Sequence, residues 1–321
     1  MPWGSADFHS ACGVSNYQDA SNVQLCELVG LADLRTEDTA VRNRLGDYLI
    51  GLNALGVAGF RIDAAKHMHP RDVDAVVARV NDAAVAANRA RPYFFLEVIN
   101  NPGEAVTAQQ YFGVGFASGG AADVTDFIYG YRVTDAFTGR NGASLNSALS
   151  TFTSTLLPSD KSVVFVDNHD NQRGQNITYA DAAYELAVVF LLAHPQGYPA
   201  LMSSYGFDRA TQAGRDSRPP SVGASVTTST FDGNGNSRCT TTIGSLRIGQ
   251  WICEHRRNAI SNMVAFRKVT AGAPLTHCGR VDWMINAHPN RITFLSLAHA
   301  ERRVQSITLK PGNFRCNRRG A

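Results

Sequence analysis

The sequence predicts an α/β fold built on a parallel sheet, from three observations. Short apolar runs at residues 59–62, 93–96 and 162–166 are each too brief for a helix. Each runs straight into a carboxylate: Asp63, Glu97 and Asp167. Longer amphipathic segments lie between successive runs. That alternation is the pattern of βα units, with helices covering the faces of a parallel sheet.

In chain order, residues 38–56 carry Val41, Leu45, Leu49, Leu52 and Leu55 at helical spacing, with capping candidates at 36–39. In 59–63, Phe60 and Ile62 alternate with Arg61 and Asp63, a short strand that ends on charge. Val73, Val76, Val77, Val80 and Ala84 give a helix over 72–88, an apolar stripe of ordinary core packing. Tyr93 to Leu96 form the next strand. The run 112–120 holds Gly113, Gly115 and Gly119 without the G-x-G-x-x-G spacing, and reads as a loop that cradles no nucleotide. Residues 123–129 and 162–166 read as strands, and 184–193 as an apolar helix leading to a strand at about 199–203. Residues 206–247 are rich in Ser, Thr, Gly and Asn and predict a long surface excursion. A helix follows over 255–270, and the alternation in 292–309 suggests an antiparallel β domain. Five parallel strands are therefore expected. In a (β/α)₈ barrel the residues just past the strands converge on one face, where such barrels do their chemistry. Asp63, Glu97 and Asp170 would face one another there.

At 321 residues the chain can bury a sizeable core. A formal charge of +3 is too small to argue for nucleic acid or an anionic membrane, and the basic stretch 310–319 reads as a solvated end. No apolar run reaches membrane-spanning length, and the first residues have neither the basic start nor the apolar centre of a signal peptide. The six cysteines contain no C-x-x-C pair, which argues against a zinc cluster.

The segments FRIDAAKH, FLEV and FVDNHD resemble three conserved segments of the α-amylase family of glycoside hydrolases. The resemblance extends through residues 22–34, 194–205 and 251–267, to secreted animal-type and actinobacterial members. It implies a partial (β/α)₈ TIM barrel, about the last five βα units, in residues 36–272. Residues 1–35 would be the end of domain B, and 273–321 the start of a C-terminal antiparallel β domain. The first three strands of such a barrel would precede Met1, so the chain resembles an N-terminally truncated member.

The resemblance also implies roles. Retaining hydrolysis of a glycosidic bond needs two carboxyl groups about 5–5.5 Å apart. Asp63 would be the nucleophile, kept ionised by Arg61. Glu97, emerging from an apolar strand, would be the proton donor. Asp170 would bind sugar hydroxyls and stabilise the oxocarbenium-like transition state. His169 would hydrogen-bond the sugar at the cleavage point. Lys66 and His67 would contact the leaving-group side, with Glu104 lining an acceptor subsite and Tyr17 a sugar platform. His9 and His69 match no such role and read as structural.

Calcium is the implied metal, held by Asp33, the backbone of Gln24 and His67. Arg61 and Asn168 match two chloride ligands, but Ala200 stands where the third, a basic residue, would be, so halide binding should be weak. Cys12–Cys26 and Cys239–Cys253 match family disulfides and imply an oxidising compartment, hence secretion of the parent protein. Cys278 and Cys316 have no assignable partner. The function implied is endo-hydrolysis of α-1,4-glucosidic bonds in starch and malto-oligosaccharides by a monomer. A transglycosylase of the same family and an inactive, truncated glycan-binding fragment are the alternatives.

Overall fold

The computed structural model describes residues 3–112, 122–143, 156–173, 176–206, 231–239 and 251–271, together with the backbone of 221–222, 226–227, 293–297, 304–310 and 313–318. The glycine-rich run after Phe112, most of the excursion at 206–247, and Cys278 lie outside the described residues. The chain forms two compact units: Met1–Ile128 with Leu157–Val163, and Tyr129–Leu156 with Val164–Ala321.

The first unit contains α1 (Ala20–Leu25), α2 (Thr39–Ala54), β1 (Gly59–Ile62), α3 (Pro70–Ala86), β2 (Tyr93–Leu96), α4 (Gln109–Phe112) and β3 (Asp123–Thr125). Asp38 caps α2, its Oδ1 accepting the Ala40 amide at 2.6 Å. His69 caps α3 through Nδ1, and Pro70 opens that helix with its fixed φ, two residues earlier than the valine stripe alone predicts. Strand β1 pairs in parallel with β2, Gly59 opposite Tyr93 through Ile62 opposite Leu96. Gly59 is required there, since a Cβ would lie 2.9 Å from the Tyr93 carbonyl oxygen. Strand β2 pairs with β3, and β3 with β4 (Ser162–Val164), again in parallel. Val73, Val77 and Val80 of α3 bury against Phe94, Leu96, Val98 and Val124.

The second unit holds most of α5 (Phe127–Thr138), α6 (Tyr184–Ala193), β5 (Tyr198–Pro199), the short hairpin β6 (Ser221–Val222) and β7 (Val226–Thr227), and α7 (Asn258–Val269). It also holds β8 (Thr293–Leu297), β9 (Val304–Lys310) and β10 (Asn313–Arg318), a three-stranded antiparallel sheet of the kind predicted for the C-terminal segment. Its core joins Tyr129, Val133, Val164, Val166, Ile177 and the buried face of α6 to Ile252, Ile260 and Met263. The strand order of the parallel sheet is β1-β2-β3-β4-β5, which makes the fold α/β with five strands, a partial barrel.

Three elements differ from expectation. Strand β3 stops at Thr125, and Phe127 begins a helix where the sequence predicts strand to residue 129. Strand β5 is only Tyr198–Pro199, because Pro199 has no N–H for the ladder; the Ala200 amide reaches the Val164 carbonyl at 2.8 Å instead. Helix α7 starts at Asn258, after a tight 3₁₀ turn at Glu254–Arg256. Among the described residues, no helix is long and apolar enough to cross a membrane.

Candidate active site

In the first unit, β1 and β2 end side by side, and the Glu97 amide donates to the Ile62 carbonyl at 2.9 Å. Asp63 and Glu97 therefore leave the sheet at the C-terminal ends of neighbouring parallel strands. One guanidinium joins them. Arg61 Nη1 donates to Asp63 Oδ1 at 2.5 Å, and Nη2 lies 2.6 Å from Glu97 Oε1. Sibling nitrogens of one fork thus hold the two carboxyl groups as neighbours on either side of a single cation. Burial pulls the Arg61 pKa down, but Asp63 and Glu97 outweigh it and the net shift is upward. The cation stays charged.

The two acids differ in exposure. Asp63 has 72% of its side chain open to solvent, whereas Glu97 has 9%. Glu97 Oε2 accepts the Ala64 amide at 3.0 Å, and that amide is aimed by a left-handed backbone at Ala64, φ 46°. Glu97 Oε1 makes no well-directed hydrogen bond, although Arg61 stands beside it.

Lys66 is 5% exposed and fully engaged. It is ion-paired to Glu104, donates to the Ile99 carbonyl at 2.8 Å, and lies 4.8 Å over the Tyr17 ring. Glu104 in turn accepts from the Asn101 amide and side chain. Burial raises the Glu104 pKa, but Lys66 and Asn101 outweigh it, so the net shift is downward. Tyr17 is edge-on to His67, whose Nδ1 is 2.9 Å from the Val23 carbonyl. Burial leads in lowering the His67 pKa, with Lys66 adding to it. The structure thus gathers Tyr17, Arg61, Asp63, Lys66, His67, Glu97 and Glu104, with Lys66 and Glu104 spent on each other.

Asp170 and His169 belong to the second unit, on the turn after β4. Asn168 Oδ1 accepts the amides of Asp170 (3.0 Å) and Asn171 (2.9 Å), which holds that turn. His169 and Asp170 are both half open to solvent, with Nε2 3.4 Å from Oδ1. Asn168 commits its side-chain oxygen to this turn, and Arg61 commits its fork to the two acids.

For a metal, no group of three His, Cys, Asp or Glu side chains is arranged to hold one among the described residues. A hard cation, however, takes oxygens, backbone carbonyls included. His67 Nδ1 meets the Val23 carbonyl, next in sequence to Gln24, so two of the three implied ligand residues lie on adjoining segments. Asp33 is also claimed by His9: Nδ1 is 2.7 Å from Asp33 Oδ2, and Nε2 is 3.0 Å from Glu37 Oε1. Burial raises the Asp33 pKa, partly countered by His9. The donor chemistry fits calcium, with three oxygens of the six to eight it takes. The His9 link has no signature in sequence.

Both expected disulfides, Cys12–Cys26 and Cys239–Cys253, are formed. A parallel βα sheet with an arginine-clamped carboxylate pair just past its strands is the arrangement that the family resemblance implies. Relatives specify the family. The chain is 38% identical over 312 residues to pancreatic α-amylase 2a5 of Mus musculus, matching 92% of this chain and 57% of that one. It is 42% identical over 279 residues to an α-amylase of Tribolium castaneum, matching 85% of this chain and 53% of that one. Crystal structures of α-amylase I from Eisenia fetida cover 97% of the chain and 60% of their own, at 29% identity with TM-score 0.71 for the wild type. A mutant of that enzyme in complex with maltohexaose follows at 27% identity and TM-score 0.67. No protein-family model matches. The chain belongs to the α-amylase family, and it spans little more than half the length of the curated relatives it matches.

Proposed function

We propose that this protein hydrolyses internal α-1,4-glucosidic bonds of starch and malto-oligosaccharides with retention. The observation that carries this reading is the single Arg61 fork holding both Asp63 and Glu97 at the ends of adjacent parallel strands. Asp63, open to solvent, is the nucleophile. Glu97, buried, gives its proton to the leaving oxygen and then takes one from water. Asp170 and His169 bind the sugar at the cleavage point. Tyr17 offers a ring to an acceptor sugar, with Lys66 and Glu104 fixing its position. The maltohexaose bound by the Eisenia fetida mutant supports a linear α-glucan as ligand.

Calcium is bound through Asp33 and the carbonyls of Gln24 and His67, and it braces the residue 1–35 segment against the β1 end. Chloride binds weakly, since Ala200 supplies no cation and Arg61 is already paired with two carboxylates. The protein acts outside the cell as a monomer, a setting in which its two disulfides persist.

The test is turnover of maltoheptaose, with products separated by length and anomer. Retention with shorter products is expected, whereas products longer than the substrate would point to a transglycosylase. Glu97→Gln should lower turnover about 10²–10⁴-fold, the worth of a general acid. Unchanged turnover in Glu97→Gln would remove this residue from the chemistry. Saturating calcium should raise the melting temperature, and Asp33→Asn should abolish that rise.

A further inference from the structure

Behind the turn that carries Asn168, His169 and Asp170, the second unit buries a group of charges that the chemistry above does not use. Asp167, 4% exposed, accepts a hydrogen bond from the Tyr184 hydroxyl at the start of α6, 3.1 Å from Oδ1. Glu254, 1% exposed, follows the left-handed Cys253 of the Cys239–Cys253 disulfide. Its Oε2 accepts the Ser204 amide at 2.8 Å, and the Ile252 amide returns to the Ser204 carbonyl at 2.8 Å. Val166, next to Asp167, and Ile252, two residues before Glu254, share one core. Among the described residues, Asp167 Oδ2, Glu254 Oε1 and the Nε and Nη2 of buried Arg257 have no hydrogen-bond partner.

We propose that Asp167, backed by Glu254, Tyr184 and Arg257, is a positioning residue that holds the Asn168–Asp170 turn from inside. The turn has its own outer tie, the Asn168 side chain, but that tie fixes the turn only to itself. Asp167 is the residue that fastens it to α6. Glu254 and Asp181 face Asp167 from the turns before α7 and α6, and Arg257 faces Glu254 and Tyr184. Burial first, then the Glu254 charge, push the Asp167 pKa well up. Two like charges in a dry site oppose each other's ionisation, and the Tyr184 hydroxyl is the donor that Asp167 has there. The consequence for glucan binding rests on the role proposed for Asp170, but the anchoring does not.

Amide hydrogen exchange on the full chain separates the two. Tyr184→Phe deletes only the hydroxyl. It should speed exchange at the amides of Asp170, Asn171 and Gln172 about tenfold, with the centre of α6 unchanged. Asp167→Ala should do the same or more, and Asp167→Asn, which still accepts from Tyr184, should stay within about threefold of the parent. Unaltered exchange at these three amides in Tyr184→Phe, or Asp167→Asn as damaging as Asp167→Ala, would overturn the proposal. Maltoheptaose kcat/KM measured on the same proteins reads the glucan role separately. A fall in Tyr184→Phe that Asp167→Asn escapes is expected. Altered exchange with no change in kcat/KM would leave the anchor standing and remove Asp170 from substrate binding.

Discussion

Ala64 sits between Asp63 and the buried Ala65–Lys66 turn with φ 46° and ψ 31°, a left-handed conformation that a side chain with Cβ resists by about 1–2 kcal/mol. The strain has a visible return: it points the Ala64 amide at Glu97 Oε2. Ala64→Gly should therefore keep the contact and raise stability by up to about 1 kcal/mol in urea unfolding, after glycine's own entropy cost. Ala64→Val should lower it by more than that. A destabilised glycine variant would show that the turn is not strained. The Arg61–Asp63 half of the clamp was legible because the two, two apart on a strand, share a face. The second half of the clamp, Arg61 to Glu97, was not, since it depends on parallel register between β1 and β2. Burial of Lys66 was hidden for a related reason. Its partners lie far away in sequence, Ile99 and Glu104 on the loop after β2 and Tyr17 before α1. His9, read as structural, is the link between Asp33 and Glu37.

Helices α2 and α3 were legible at the scale of elements because each is long enough for its apolar spacing to repeat, and α6 because its run is apolar almost throughout. Residues 123–129 were not: seven residues fit strand and helix alike. The helical half shows itself only where Tyr129, Val133 and Ala136, spaced four and three apart, enter one core. Strand β2 is the element on which the first unit depends. Phe94 is fully buried, 5.4 Å from the Phe60 ring, and its strand carries Glu97. Phe94→Ala should cost about 3–5 kcal/mol of unfolding free energy, the usual range for a buried phenylalanine. Phe95→Ala, only partly buried on the other face, should cost less. Equal losses would mean that β2 does not present Phe94 to the core. Together with its loss of stability, Phe94→Ala should lose turnover as the Arg61 clamp loosens.

At the scale of the whole molecule, each unit holds a half-buried histidine that resists protonation, His67 in the first and His194 in the second. His194 stacks on Phe190, and its Nδ1 accepts the Gln196 amide at 3.2 Å. Arg267 donates to its carbonyl and to that of Gly197. Burial, then the Arg267 charge, bring its pKa down to about 4 from 6.5. Between those values the unfolded chain binds a proton that the folded chain refuses, so stability falls as pH falls through that window. At roughly 1.4 kcal/mol per pKa unit, the loss approaches about 3 kcal/mol near pH 4. His67, lowered first by burial, adds in the same direction below pH 6.5. Glu104 adds again at lower pH: its folded pKa is depressed, so its contribution, whole above 4.5, drains away as pH drops through the folded value. Asp167 and Glu254, both raised, act with the opposite sign, which makes the total profile a poor probe of any one group. His194→Gln isolates one. Glutamine can still accept from the Gln196 amide and cannot titrate. Unfolding free energy measured in urea at pH 7 and at pH 4.5 should change less in this variant than in the parent, by about 2–3 kcal/mol. Parallel profiles would show that His194 titrates alike in both states, and that the second unit does not resist acid protonation at this residue.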